Sequence, residues 1–279
     1  MQVLTHVLSR KKTRLCLAAA GLAAALAAAP AQADTPPAFV ELDVPYVPTP
    51  PEAVALMLDM AGVGKHDTVI DLGSGDGRIA IAAVRDRGAR RALGVDIDPA
   101  RVAEAQANAR RADVQDRVDF RQQDLFDTDI SQATVLTMYL LPDVNIKMRP
   151  VILDRLAPGS RVVSHAFTMG EWNSDRHEIV NGRSLYLWIV PAKVAGAWRL
   201  REPARGDLTL TLTQAFQRIE ARAQRDGQAV AVSRASLRGA ELRFTLDEQG
   251  RQREYVGVVR GDTLVAADEA GWRAQRLAP

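Results

Sequence analysis

Cysteine is almost absent from this chain. Cys16 is the only one in 279 residues, and it falls near the start of the run LCLAAAGLAAALAAA, residues 15–29. Long apolar runs are lacking too. This one has fifteen residues, mostly alanine, short of the roughly 20 that a membrane-spanning helix needs. RKKTR at 10–14 precedes it, and Pro30 with Ala-Gln-Ala at 31–33 follows. A basic start, a short apolar core and an A-x-A end predict a cleaved export signal over residues 1–33. The alternative is an N-terminal membrane anchor. Cys16 lies too early in the core to suit lipid attachment. Removing the segment takes away the sole cysteine, which excludes a disulfide framework and thiol chemistry. It also removes Arg10, Lys11, Lys12 and Arg14 and no acid, so 36 basic residues become 32 against 34 acidic ones. A net charge of −2 with no basic run gives no nucleic-acid footprint. No spacing of histidines or acids suggests a metal. The expectation is an exported protein, in a bacterial periplasm, with no nucleic-acid partner and no stable membrane span after cleavage. Its remaining residues are numerous enough to bury a core without staples.

What is present divides by texture. Residues 34–195 alternate short apolar runs with helical patterns. Thr49 followed by Glu52 reads as a capping box, with prolines in the first turn of a helix over 51–62. Strands are expected at 68–73, 91–96, 117–122, 134–140 and 161–167. Helices are expected at 76–87, 99–112 and 143–156. HEIV and SLYLWIVPA form two further strands around Asn181-Gly182, a hairpin turn. Alternating strands and helices predict an α/β fold with a parallel sheet. Residues 196–279 carry short alternating runs separated by turn pairs such as Asp226-Gly227 and Gln249-Gly250. They predict an antiparallel meander of about six strands that can curl into a small barrel. No catalytic set appears there, and the expected role is stabilising or docking.

The chemistry concentrates at VIDLGSGDGRIA, residues 69–80. A dinucleotide fingerprint is G-x-G-x-x-G, whereas Gly73, Gly75 and Gly77 here give G-x-G-x-G with Asp71 and Asp76 beside them. Carboxylates in the loop repel a pyrophosphate, which disfavours a nicotinamide oxidoreductase. They attract a ligand with a cationic ammonium and sulfonium and no phosphate, which is the charge pattern of S-adenosyl-L-methionine. Asp96, at the end of the second strand and about twenty residues on, is placed to bind ribose hydroxyls, while Asp98 caps the next helix. Asp124 follows the third strand, where a carboxylate can accept from the adenine amino group. Three acids at the carboxyl ends of successive strands line one crevice.

DLGSGDGRI, GVDIDP, QQDLF and the final hairpin resemble the class I, Rossmann-like seven-strand S-adenosylmethionine-dependent methyltransferases over about residues 40–192. PYVPTP, MYLLP and RVVSHAF are similar to the seven-strand protein-lysine methyltransferases, including those that act on the mitochondrial ATP synthase c-subunit and the adenine nucleotide translocase. The resemblance implies that Tyr46 and Thr49 approach the methionine end of the cofactor. Asp71, Gly73 and Gly75 would form the main loop, with Asp96 on ribose and Asp124 on adenine. Tyr139 and Pro142 would line the methyl-donor mouth. The N/D-P-P-Y/F motif of DNA amino-methylating enzymes is missing. A lysine must be neutral to attack, and at a reference pKa of about 10.4 only about one in 2,500 is neutral at pH 7. A dry aromatic mouth lowers that pKa, and Tyr139, Phe167 and Trp172 are candidates for it. His165 is a candidate proton acceptor, or a buried structural histidine. His66 and His177 are expected on the surface. The expected function is methylation of a protein amine. A small-molecule acceptor and a non-catalytic envelope binding protein on the same fold remain as alternatives.

Overall fold

A computed structural model describes residues 46–203, 205–268 and 271–278. The expected export signal lies outside the described residues. The first half alternates as its sequence pattern dictates. In chain order come α1 (Pro51–Met60), β1 (Thr68–Leu72), α2 (Arg78–Arg85), β2 (Arg91–Asp96), α3 (Pro99–Arg111), β3 (Val118–Gln122), β4 (Val135–Met138), α4 (Pro142–Arg155), β5 (Arg161–His165), β6 (Arg176–Val180) and β7 (Arg183–Ile189). The seven strands form one sheet of order β3-β2-β1-β4-β5-β7-β6. The first five are parallel, and β7 runs antiparallel to both β5 and β6.

Both faces of the sheet are covered. Successive strand residues point to opposite sides. Val69, Val135 and Val163 join α1, α2 and α3 in one apolar cluster. Ile70, Leu136 and Val162 join Met148 and Ile152 of α4 in the other. A strand covered twice reads as continuously apolar, and β1 is buried at all five residues of TVIDL, its aspartate included. The expected strands over 134–140 and 161–167 end earlier, at Met138 and His165. The residues beyond them turn away and build the site.

The second half closes into an eight-strand antiparallel barrel. Its strands are β8 (Gly196–Glu202), β9 (Gly206–Ala215), β10 (Arg218–Arg225), β11 (Gln228–Arg238), β12 (Glu241–Glu248), β13 (Arg251–Arg260), β14 (Thr263–Ala266) and β15 (Arg273–Arg276). The expectation of about six strands was low. RIEARAQR in β10 offers only Ile219, Ala221 and Ala223 to the interior, and its other residues favour helices. Pairing with β9 along all eight positions overrides that preference. At one end of the barrel the buried Glu202 carboxylate accepts from Arg225 Nη2 at 2.7 Å, Tyr255 Oη at 3.0 Å and Arg253 Nη1 at 3.2 Å. Burial, and then the Glu202 charge, push the Tyr255 hydroxyl up to about 12, so it stays protonated and donates.

The β9–β10 turn ties barrel to sheet. Phe216, at φ +57°, stacks on Trp172 with centroids 6.1 Å apart, and Arg149 lies 5.5 Å over the same ring. Gln217 Nε2 donates to the Asn173 carbonyl at 2.7 Å. Ala192 N donates to the Gly239 carbonyl at 2.8 Å. Phe216 is half-buried, so Phe216→Ala should cost about 1.5–2.5 kcal/mol, near half the loss typical of a fully buried Phe. The change should alter Trp172 fluorescence. Urea unfolding of the variant checks this, and an unchanged midpoint and spectrum would mean the contact carries no stability.

Candidate active site

The carboxyl ends of β1, β2, β3 and β4 open on one crevice. Its walls include Tyr46, Thr49, Gly73, Gly75, Asp76, Arg78, Asp96, Asp124, Tyr139 and Val144. Eight of the residues expected at the site converge here or on its floor. The loop after β1 carries Gly73 at φ +71° and Gly75 at φ +53°, a region that side chains disfavour. A Cβ on Gly75 would stand 2.5 Å from Tyr46 Cε2. The glycine therefore lets the leading strap, residues 46–50, close down on the loop.

Asp71 is the floor rather than a wall. It pairs in register with Gly94 and Thr137 on the flanking strands and is 1 % exposed. Thr137 Oγ1 donates to its Oδ1 at 2.7 Å, while Oδ2 has no partner. Burial raises its pKa to about 7, with the charges of Asp96 and Asp76 adding to the rise. An unpaired buried oxygen beneath a glycine loop fits a cationic ligand above it. Asp96 is held by two backbone donors, Gly75 N to Oδ2 at 2.8 Å and Asp98 N to Oδ1 at 3.0 Å. Each oxygen keeps a further lone pair for a ligand hydroxyl. Asp98 instead accepts from Ala100 N at 2.8 Å and caps α3. Asp124 is exposed on the crevice wall and accepts from Phe126 N at 2.8 Å.

Asp76 belongs to a different contact. Arg78 donates to it through Nε at 2.9 Å and Nη2 at 2.6 Å, and through Nη1 to the Thr49 carbonyl at 2.8 Å. Burial works to raise the Asp76 pKa, and the Arg78 bonds outweigh it, so the carboxyl lies below its ordinary value. Arg101 covers the Tyr46 ring at 4.7 Å. Arg78 and Thr137 were missed from sequence. Only the D-G-R that closes the loop motif hinted at the first, and nothing local marks the second.

Three expectations change, and His165 takes the second of its two readings, the buried structural one. Thr49 and Glu52 form no capping box. Pro50 is the cap residue, with no side-chain bond, and Thr49 Oγ1 turns inward to His165 Nδ1 at 3.0 Å, while Glu52 accepts from Asn181 at 2.8 Å. His165 is not at the crevice surface. It is 1 % exposed, and the Tyr139 ring packs against it with centroids 3.9 Å apart. Burial, then Arg183, lower its pKa to about 4, so it is neutral and packs under Tyr139 and Thr49. Trp172 does not line the mouth. It is fully buried, and it packs against both Phe216 and Trp188. Pro142 faces an adjoining groove with Phe126, Leu141, Asp143, Val144 and Lys147. Phe167 is not among the residues lining the crevice and stacks on Tyr139, which is, with centroids 6.3 Å apart. Buried Asn145 of α4 fixes that corner, donating to Ser164 Oγ at 3.0 Å and the Phe167 carbonyl at 3.2 Å.

The ANTKMT methyltransferase domain family matches residues 71–176. A protein-lysine N-methyltransferase of Saccharolobus islandicus is 47 % identical over 151 residues, 53 % of this chain and 94 % of that one. The adenine nucleotide translocase lysine N-methyltransferase of Mus musculus is 32 % identical over 48 % of this chain and 57 % of its own length. A solved structure described as an RNA methyltransferase of Salinibacter ruber, with S-adenosyl-L-homocysteine bound, shares 51 % identity at a TM-score of 0.52, over 53 % of this chain and 96 % of that one. The three relatives each match about half of this chain, and the family model a shorter part of it. Set beside the acid-lined crevice at the strand ends, they show that this chain belongs to the class I S-adenosylmethionine-dependent methyltransferases and resembles the protein-lysine enzymes among them.

Proposed function

We propose that this protein transfers a methyl group to a lysine amine of another protein. The 47 % identity to the Saccharolobus islandicus protein-lysine N-methyltransferase, over 94 % of that enzyme, carries the reading. S-adenosyl-L-methionine, when bound, supplies a methyl group activated on a sulfonium. We assign Asp96 to the ribose hydroxyls and Asp124 to the adenine amino group. Tyr46, Thr49, Gly73 and Gly75 cradle the methionine end. Asp71 acts from below, its charge favouring a cationic ligand without touching solvent. Tyr139 and Phe167 form the aromatic wall past which the acceptor amine approaches. The wall excludes water and favours the neutral amine. Catalysis is then alignment of the amine with the methyl carbon, and His165 contributes by holding Tyr139 and Thr49 in place.

A second reading has its own support. The Salinibacter ruber structure is described as an RNA methyltransferase, so RNA is the competing acceptor. Incubation with methyl-labelled S-adenosylmethionine and a mixture of bacterial protein and RNA separates the two. Label recovered as methyllysine after acid hydrolysis is the expected result, and label in nucleosides would overturn it.

The compartment and the division of the chain are part of the same proposal. RKKTR and the apolar run support export, with cleavage before Asp34, which N-terminal sequencing of the secreted form checks. Among the described residues no helix is long and apolar enough to cross a membrane. We place a domain boundary near residue 196, where the barrel begins.

Asp71 yields a pH dependence whose sign is fixed. Its pKa rises from the ordinary 3.8 to about 7 on folding, so the folded chain binds the proton more tightly than the unfolded one. Stability from this group is full below pH 3.8 and is lost as the pH rises toward 7. Asp71→Asn should therefore gain on the wild type between pH 4 and 7, by up to about 4 kcal/mol, and the gap should level off above. Urea unfolding of the ligand-free proteins across that range tests it, and a gap independent of pH would contradict a buried, titrating Asp71.

A further inference from the structure

Lysine is scarce here. The chain has 31 arginines and five lysines, at 11, 12, 65, 147 and 193. Three lie among the described residues, and they differ in place. Lys65 is exposed in the turn before β1, at the amino ends of the parallel strands and so opposite the crevice. Lys193 is exposed beyond β7 and paired with Asp154 at 2.8 Å. Lys147 is exposed on α4 and lines the groove formed by Phe126, Leu141, Pro142, Asp143 and Val144. Phe126 and Val144 also line the cofactor crevice, so groove and crevice share a wall. Among the described residues Lys147 makes no hydrogen bond or ion pair.

We propose that Lys147 is an automethylation site, modified in cis by the methyl donor in the adjoining crevice. The inference rests on reading the chain as a lysine methyltransferase. Its geometric basis is the direction of α4. The helix begins at Pro142, directly after Tyr139-Leu140-Leu141, and Lys147 stands in its second turn. Side chains on a helix tilt toward its amino end, which here is the methyl-donor mouth. The stem of Lys147 therefore leans along the groove past Asp143 and Val144. Four flexible methylenes give the amine freedom to turn into the crevice. Asp143, four residues earlier on the same helix face, lines the same groove.

The transfer balances without a further reactant. The Lys147 ammonium first gives a proton to water. The neutral Nζ lone pair then attacks the methyl carbon, a C–N bond forms, and the C–S bond breaks with its electrons retained by sulfur. The products are N-methyllysine and S-adenosylhomocysteine. The residue can still carry its positive charge and gains apolar bulk in the groove.

The test uses the full chain with deuteromethyl-labelled S-adenosylmethionine and peptide mapping by mass spectrometry. Label is expected on Lys147 and absent from Lys11, Lys12, Lys65 and Lys193. The rate should not depend on protein concentration, because the acceptor is tethered, and Lys147→Arg should abolish the label. A rate that rises with protein concentration, or label on other lysines with none on Lys147, would overturn the proposal. A parallel reaction adds a mixture of lysine-containing peptides. Label on the peptides and none on Lys147 contradicts automethylation and leaves the lysine-methyltransferase reading standing. Label on neither, with the cofactor still bound, contradicts that reading as well. A readout independent of turnover is acylation by an N-hydroxysuccinimide ester. Bound S-adenosylhomocysteine should slow acylation of Lys147 relative to Lys65, and an unchanged ratio would show that the amine does not reach the crevice.

Discussion

The Arg78 guanidinium joins the two parts of the chain that make the crevice. Two of its nitrogens hold Asp76 in the glycine loop, and the third holds the Thr49 carbonyl in the leading strap. The strap has little apolar anchorage of its own. Tyr46 is 42 % exposed, and Val47 is exposed beside it. Its position depends on that guanidinium, on the Thr49–His165 bond and on the lack of a side chain at Gly75. A planar fork with several donors suits such a junction in a way that lysine does not. Asp76, which looked from sequence like a ligand-facing acid, is thereby committed to structure. Asp96 and Asp124 are left to line the crevice, with Asp71 buried below.

The same economy of contacts explains the aromatic residues. Tyr139 leaves the end of β4 and rests on neutral His165, and Phe167 leaves the end of β5 and stacks on Tyr139. Asn145 pins the second corner by bonding the Phe167 carbonyl. These side chains sit where two strands stop, which is where such a sheet binds ligands. Trp172 lies only five residues beyond Phe167 and serves the barrel instead, with the Trp188 indole donating to its carbonyl at 2.7 Å. The aromatic stack at the sheet end and the barrel anchor are thus neighbours in sequence.

The sheet was legible because its strands are apolar runs of the right length between amphipathic helices, and the acids were legible because they end those strands. The parts that were not legible depend on distant partners. Thr49 has the local spacing of a helix cap, yet its hydroxyl is drawn 116 residues away to His165. Trp172 has the look of a mouth residue because nothing near it announces Phe216. Thr137 is an ordinary strand threonine until its register with Asp71 is known. β10 is a helix-favouring octapeptide made into a strand by its neighbours on both sides. Local pattern carries the element, and register and closure carry the contacts.

The most direct test of the central claim is calorimetric titration of S-adenosylmethionine into the purified protein, with Asp96→Ala and Asp96→Asn beside it. The account predicts binding to the wild type and a loss of about tenfold or more in both variants, the scale of hydrogen bonds to a charged group. Their unfolding should remain cooperative. Undiminished affinity in folded variants, or no binding to the wild type, would contradict the assignment of this crevice to the cofactor.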